Sequence, residues 1–155
     1  MEKVKIITLP KCRMVTSGLK GDQKKFNKMW SKLDKKRKDK FFPRDFMFFD
    51  EKTQKNVWLY AVEEWVTEKD TEGFDIIDFK GGIYATGIAP QKPYEEGLKV
   101  FNVIKDWVNS GKAFVLDRNE KRPDFWHVVG TSVTDKALGY RQIEIFIPIK
   151  LRKKE

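Results

Sequence analysis

The chain has 155 residues, 40% of them hydrophobic, which predicts a single domain spanning residues 1–155 with a substantial apolar core. Lys and Arg total 32 against 23 Asp and Glu, and the resulting net charge of +9 attracts polyanions at low salt. One cysteine excludes an internal disulfide, and one histidine leaves no His/Cys cluster with the spacing of a zinc site. We therefore expect neither a metal nor a cofactor.

The first predicted element is a strand in residues 4–18, "VKIITLPKCRMVTSG", interrupted around Pro10. The N-terminal sequence lacks a long apolar run, so we expect no signal peptide, no membrane-spanning helix and a cytoplasmic location.

An amphipathic helix follows from about Asp22 to Lys38. Its apolar residues recur at helical spacing, and they are Phe26, Met29, Trp30 and Leu33. This pattern predicts a helix that packs on a sheet and exposes its lysines. We expect no specific nucleic-acid binding from such a solvated basic face.

Residues 41–50 and 55–65 predict two strands joined by the polar turn "DEKTQKN", a connection short enough to favour antiparallel pairing. Residues 67–75 are predicted to form a connecting loop. The order then repeats, with a strand at 81–89 and a helix at 93–111 that has Pro93 near its first turn. Three further strands are predicted at residues 112–117, 125–132 and 142–151.

The two predicted helices lie about half the chain apart, which indicates two copies of a strand–helix–strand–strand unit in residues 1–68 and 74–151. The predicted fold class is α+β, with one antiparallel sheet and both helices on one of its faces.

The last predicted strand, "QIEIFIPIKL", has two different faces. Ile143, Ile145 and the following alternate residues form an aliphatic side, which we expect the helices to cover. Glu144 and Phe146 lie on the other side. A carboxylate there either faces water as an ordinary solvated residue or lies in a hollow, where a cationic ligand would offset its desolvation.

Other aromatic residues share strand faces in the same way. Trp58 and Tyr60 alternate with apolar residues on their strand, and Tyr84 and Thr86 share a face of theirs. We expect these faces to line the hollow, whose floor would be the uncovered side of the sheet. Since His127 adjoins Trp126, the two residues must point in opposite directions.

Two stretches resemble the gyrase-inhibitor-like (GyrI-like) small-molecule-binding domains, a fold that also serves as the effector-binding domain of multidrug-sensing and AraC-type regulators. The stretches are "GGIYATGIAPQKPYEEGLKVFNVIKDWV" and "IEIFIPIK", the latter preceded by "RPDFWHVVGTSVTDKALGY". The resemblance implies a duplicated unit, a curved sheet with a central ligand groove, and a glutamate on the last strand at the base of that groove. That glutamate matches Glu144, and the ligands implied are lipophilic cations.

The aromatic positions of the family are less strictly placed. The candidate groove residues besides Glu144 are Trp58, Tyr60, Trp65, Tyr84, Trp126, Tyr140 and Phe146. The chain is too short for an added helix-turn-helix domain, so we expect a stand-alone ligand-binding protein, as a monomer or a homodimer.

Two alternatives remain open. Some stand-alone members of the family resemble hydrolases that open cyclopropane-containing cytotoxins with a glutamate and a tryptophan. Glu144 would then be the acid–base group with its pKa raised by an apolar site, and Trp126 or Trp65 would be its partner. The other alternative is a module whose ligand state controls a separate transcription regulator or transporter.

Overall fold

The computed structural model describes residues 3–19, 21–39 and 44–154. Internal contacts divide the chain into two compact units. We call Lys11–Phe79 the continuous unit, and Met1–Pro10 together with Lys80–Glu155 the discontinuous unit. Both units combine an antiparallel sheet with α-helix, which confirms the predicted α+β class.

The continuous unit contains strands β2 (Cys12–Thr16), β3 (Asp45–Asp50), β4 (Lys55–Val62) and β5 (Ile76–Phe79), with helix α1 (Gln23–Lys36) between β2 and β3. Strand β4 pairs with β3 and β2, and β2 also pairs with β5, all antiparallel. The predicted hairpin of the third and fourth strands is confirmed from Asp45 onward. Its first residues, Phe41, Phe42 and Pro43, lie outside the described part of the chain.

Helix α1 begins where the Asp22 side chain accepts hydrogen bonds from the backbone N–H groups of Lys24 and Lys25. Its predicted apolar stripe is the face that packs on the sheet, since Phe26 and Met29 are fully buried. The cluster beneath the helix is apolar apart from one hydroxyl and comprises Val15, Phe26, Met29, Leu33, Tyr60, Val62 and Val66.

The discontinuous unit contains β1 (Lys5–Leu9), β6 (Gly82–Pro90), β7 (Phe114–Leu116), β8 (Phe125–Val129) and β9 (Gln142–Leu151), with helices α2 (Tyr94–Ser110) and α3 (Ser132–Leu138). Strand β6 pairs with β1 and β9, and β9 also pairs with β7 and β8. The aliphatic side of β9 packs beneath α2, where Ile145 and Ile147 meet Ile104 and Val108. This is the covered face expected from the sequence.

Three elements differ from the sequence prediction. The first predicted strand is two strands, β1 and β2, which separate at Pro10 and belong to different units. Strand β5 and helix α3 were not predicted. Residues Thr131 and Ser132, assigned to a strand by their pattern, instead begin α3, where the Thr131 hydroxyl accepts a hydrogen bond from the N–H of Thr134. None of the described helices is long and apolar enough to cross a lipid bilayer.

Candidate functional site

The face of the discontinuous unit's sheet opposite α2 gathers polar and aromatic side chains from three strands. Antiparallel register places Glu144 of β9 between His127 of β8 and Ile88 of β6. Two residues further along β9, on the same face, Phe146 lies between Phe125 of β8 and Thr86 of β6. We call this the carboxylate face, and its residues are Tyr84, Thr86, Ile88, Phe125, His127, Glu144 and Phe146.

The rings of the carboxylate face pack on one another. Phe125 and Phe146 are stacked with centroids 4.9 Å apart, and the His127 ring lies 5.4 Å from that of Phe146. Tyr84 is 5.2 Å from Phe125. Because Phe146 and Phe125 are almost fully buried, they form an apolar wall beside the carboxylate.

Glu144 remains partly accessible, with 18% of its side chain exposed. Its Oε2 atom lies 3.4 Å from Nε2 of His127, a long contact, while Nδ1 of His127 lies 3.0 Å from the carbonyl oxygen of Val128. Ile88, directly opposite Glu144 on β6, is 41% exposed. The accessible part of the site is therefore a carboxylate beside an exposed aliphatic side chain.

The pKa of Glu144 lies below its ordinary value, chiefly because His127 donates a hydrogen bond to the carboxylate. Burial acts in the opposite direction, and the Thr86 hydroxyl and the charges of His127 and Lys5 lower the pKa further. Within the described residues, however, the buried Thr86 hydroxyl has no partner of good hydrogen-bond geometry, so His127 is the firmer cause. The prediction that an apolar site raises the pKa of Glu144, as an acid catalyst requires, is therefore wrong. With its lowered pKa, Glu144 is ionised at neutral pH.

Tyr84, a predicted ligand contact, is fully buried within the carboxylate face. The Arg122 guanidinium lies 4.9 Å from its ring centroid and donates to the Asp117 carboxylate and to the carbonyls of Ile83 and Ile149. Arg122 thereby holds the pKa of Asp117 below its usual range. An internal cation already covers the tyrosine ring, so Tyr84 supports the wall and does not offer an open stacking surface.

Trp126 lies on the other side of β8. It is opposite Ile145 and packs against the aliphatic cluster under α2, so its predicted place beside Glu144 is wrong. Since neighbouring residues of a strand point to opposite faces, His127 occupies the position facing Glu144. The two residues do point to opposite faces as predicted, but His127 and not Trp126 is on the side of Glu144.

Trp58 and Tyr60 lie on the face of β4 that α1 covers, not on an uncovered face as predicted. The Tyr60 hydroxyl donates to Asp34 of α1 at 3.2 Å, and its ring packs 5.6 Å from Trp30. Burial, followed by the Asp34 charge, raises the pKa of Tyr60. The stripe of α1 requires an apolar partner surface, and the even-numbered residues of β4 provide it.

The two remaining candidates lie in turns. Trp65 follows β4, is 44% exposed, and contacts Glu63 through its indole N–H. Tyr140, 43% exposed, lies between α3 and β9 in an open surface depression that Asp135 and Arg141 also line. Neither residue belongs to the carboxylate face. Within residues 3–19, 21–39 and 44–154, no group of three or more His, Cys, Asp or Glu side chains is placed to hold a metal ion.

Comparison with known proteins identifies the fold. The structure is similar to a hydrolase from Listeria innocua (TM-score 0.67, 12% identity, covering 96% of this chain and 92% of the other). It is also similar to the EcmrR C-terminal domain (TM-score 0.63, 11% identity, 97% and 98% covered). A third similar structure is SAV2435 bound to tetraphenylphosphonium (TM-score 0.53, 13% identity, 96% and 94% covered). No protein-family model matches the sequence, and no curated protein matches it.

Proposed function

We propose that this chain is a GyrI-like protein that binds amphipathic, cationic small molecules, with Glu144 as the group that recognises the positive charge. The observation that carries the proposal is a partly accessible carboxylate, with a lowered pKa, that lies between Ile143 and Ile145 in the apolar middle of β9. A carboxylate that has lost much of its hydration gains more from a bound cation than an exposed carboxylate does.

The surroundings of Glu144 favour a ligand with an apolar body. Ile88 lies directly opposite on β6 and exposes aliphatic surface, while Phe146 and Phe125 exclude water from the inner side of the carboxylate. Full burial of an exposed isoleucine is worth about 1.5–3 kcal/mol, and covering the exposed 41% of Ile88 would contribute a corresponding part of it. An amphipathic cation would thus place its charge at Glu144 and its apolar part over Ile88.

The structural similarities support the same class of ligand. Tetraphenylphosphonium, bound in the structure of SAV2435, is a cation surrounded by apolar rings. The fold likeness extends over 96% of the present chain, although the identity is only 13%. Glu144 would serve here the purpose that the GyrI-like resemblance assigns to the glutamate of the last strand.

The direct test is to titrate the protein with tetraphenylphosphonium, tetramethylammonium and neutral triphenylphosphine oxide. Binding is measured by calorimetry and by tryptophan fluorescence. We expect saturable binding of tetraphenylphosphonium, and weaker binding of the small cation and of the neutral compound. In Glu144→Gln the affinity for tetraphenylphosphonium should fall at least tenfold, or about 1.4 kcal/mol. The affinity for the neutral compound should stay unchanged.

The matched control is Glu68→Gln, which removes the same charge from an exposed position of the continuous unit. It separates a local effect of Glu144 from the change in net charge. Equal losses of affinity in both variants would contradict charge recognition at Glu144, as would preferential binding of the neutral compound.

A second candidate function is hydrolysis of strained electrophiles, favoured by the similarity to the Listeria innocua hydrolase. An ionised Glu144 could remove a proton from water, but it could not donate one to a substrate at neutral pH. Trp126, one of the two predicted tryptophan partners, lies on the other face of β8. Product formation from cyclopropane-containing electrophiles, abolished by Glu144→Gln, would support this candidate over simple binding.

A further inference from the structure

We propose that the outer side of helix α1 is a docking surface for an anionic lipid bilayer. The surface, which we call the lysine face, consists of exposed lysines, namely Lys24, Lys25, Lys28, Lys32, Lys35 and Lys36. The proposal is independent of the proposed function, because α1 belongs to the continuous unit and Glu144 to the discontinuous unit.

The helical period gathers these lysines on one side of α1. At about 100° per residue, all six lie within an arc of about 120°, and Lys24, Lys28 and Lys35 lie within about 40° of one another. These three form a row about 16 Å long, at about 1.5 Å per residue. The buried residues Phe26 and Leu33 lie outside the arc. Helix α1 therefore presents an ordered row of cations to solvent.

The protein neutralises only part of the lysine face. Lys32 pairs with Glu72 at 2.5 Å, and the Lys36 ammonium lies 5.7 Å from the ring centroid of Trp65. In the part of the chain that the structure describes, the other four lysines of the face form no ion pair. A local excess of positive charge is therefore left to attract an external anionic surface.

The first turn of α1 carries positive charge where helix stability disfavours it. Lys24 and Lys25 follow the N-cap residue Asp22, and no acidic residue lies in this turn. Because the N-terminal end of a helix is itself partly positive, acidic side chains stabilise it and lysines oppose it. The stability of α1 therefore does not account for these two lysines, whereas attraction to an external polyanion does.

The chemistry of the lysine face favours lipid headgroups over nucleic acid. Recognition of bases relies on arginine forks and on exposed rings for stacking. Arg37 is only 10% exposed and pairs with Asp34, and Trp30 packs against Tyr60. What remains is a set of ammonium point charges. Clusters of about four to eight basic residues on an amphipathic helix are typical of binding to anionic lipids.

The docking is electrostatic and does not insert the helix. Phe26 and Met29 are fully buried, and Leu33 is 5% exposed, so the sheet already covers the apolar stripe that an inserting helix would use. Binding should therefore require anionic lipid. It should also weaken with salt, since the Debye length falls from about 10 Å at 0.1 M to about 3 Å at 1 M.

Sedimentation with lipid vesicles tests the proposal on the full chain. The vesicles consist either of phosphatidylcholine alone or of an equimolar mixture of phosphatidylcholine and the anionic phosphatidylglycerol. At about 0.1 M salt we expect binding to the mixed vesicles only, and at about 1 M salt we expect release. Absence of binding to the mixed vesicles would overturn the proposal, as would binding that survives the high salt concentration.

Charge reversal locates the docking surface. The first variant carries Lys24→Glu, Lys25→Glu and Lys28→Glu. Its partition onto mixed vesicles should fall at least tenfold, because each lysine near an anionic surface strengthens binding about fivefold. The matched control reverses exposed lysines of the discontinuous unit, namely Lys112, Lys121 and Lys153. Both variants lose the same net charge, so equal losses of binding would contradict a docking surface on α1.

Thermal denaturation distinguishes lost docking from lost structure. Acidic side chains in the first turn favour the helix, so the variant of α1 should melt no lower than the parent. If it does melt lower, the double variant Lys24→Gln and Lys28→Gln removes charge without reversing it. Unchanged vesicle binding in this double variant would refute the proposal.

Competition with nucleic acid tests the other class of polyanion. Duplex DNA of mixed sequence and a structured RNA are added to protein bound to mixed vesicles. We expect neither to displace the protein while its phosphate concentration is below that of the anionic lipid. Displacement in that range, with nucleic-acid binding lost in the variant of α1, would assign the lysine face to nucleic acid and overturn the proposal.

Discussion

Tyr60 in the continuous unit and Glu144 in the discontinuous unit are both polar residues within apolar strands, but they are stabilised in different ways. Tyr60 lies on a helix-covered face and donates its hydroxyl hydrogen to Asp34, which the covering helix supplies. Glu144 lies on the face opposite its helix, and its partner His127 comes from the adjacent strand.

The difference shows what each polar contact can do. The Tyr60 contact joins α1 to the sheet, and Asp34 is further held by Arg37 at 3.2 Å, so it can change only if the helix moves. The Glu144 contact joins two neighbouring strands, is longer at 3.4 Å, and leaves 18% of the glutamate side chain exposed. We therefore assign a structural role to the first contact, whereas the second contains the carboxylate that we propose for ligand binding.

The largest expected effect is a loss of stability when the packing of α1 on the sheet of the continuous unit is disrupted. Phe26 of α1 is fully buried and meets Phe74 edge to face at 5.1 Å, so Phe26→Ala should lower the free energy of unfolding by about 3–5 kcal/mol. Urea denaturation measures this loss, and Phe26→Leu, which leaves a smaller cavity, should lose less. A loss below about 1 kcal/mol would contradict the packing of α1 described above.

An intermediate effect is expected when the structural polar contact is removed. Tyr60→Phe deletes the hydrogen bond to Asp34 but leaves Arg37 as a partner of that carboxylate, so the cost should be roughly 0.5–1.5 kcal/mol. The affinity for tetraphenylphosphonium should not change. A clear loss of affinity in Tyr60→Phe with an unchanged free energy of unfolding would show that the two contacts have been assigned the wrong roles.

The smallest expected effect concerns acid stability. Because the pKa of Glu144 is lowered on folding, its ionisation stabilises the protein above the unfolded value of about 4.3, and this contribution is lost as the pH falls through the lower folded value. In Glu144→Gln, the free energy of unfolding should therefore decline less steeply in acid. Parallel pH profiles for parent and variant would indicate that His127 does not hold the carboxylate in its ionised form.

Much of the fold could be predicted because its main elements have strong periodicity. The stripe of Phe26, Met29 and Leu33 and the aliphatic side of β9 are both visible in the sequence and both pack as expected. Helix α3 has seven residues and buries none of them, so it leaves no hydrophobic period to detect. Strand β5 has four residues, two of them exposed, and is similarly inconspicuous.

The site was harder to predict because it depends on register between strands that are distant in sequence. Alternation alone puts Glu144 and Phe146 on one face, but it does not say whether Trp126 or His127 joins them. That choice depends on the pairing of β8 with β9, which are separated by α3 and its flanking turns. Alternation likewise puts Trp58 and Tyr60 on one face of β4, but it does not predict which face α1 covers.

The pairing of β1 with β6 has a consequence for the order in which the chain folds during synthesis. Lys5 pairs with Thr86, so the first strand has no sheet partner until all of the continuous unit has been made. Contacts this distant in sequence form slowly, because the entropy cost of closing a long loop precedes the stabilisation that the contacts provide. The continuous unit can therefore fold on the ribosome before β6 has been synthesised. During that time β1 has been synthesised but has no strand to pair with.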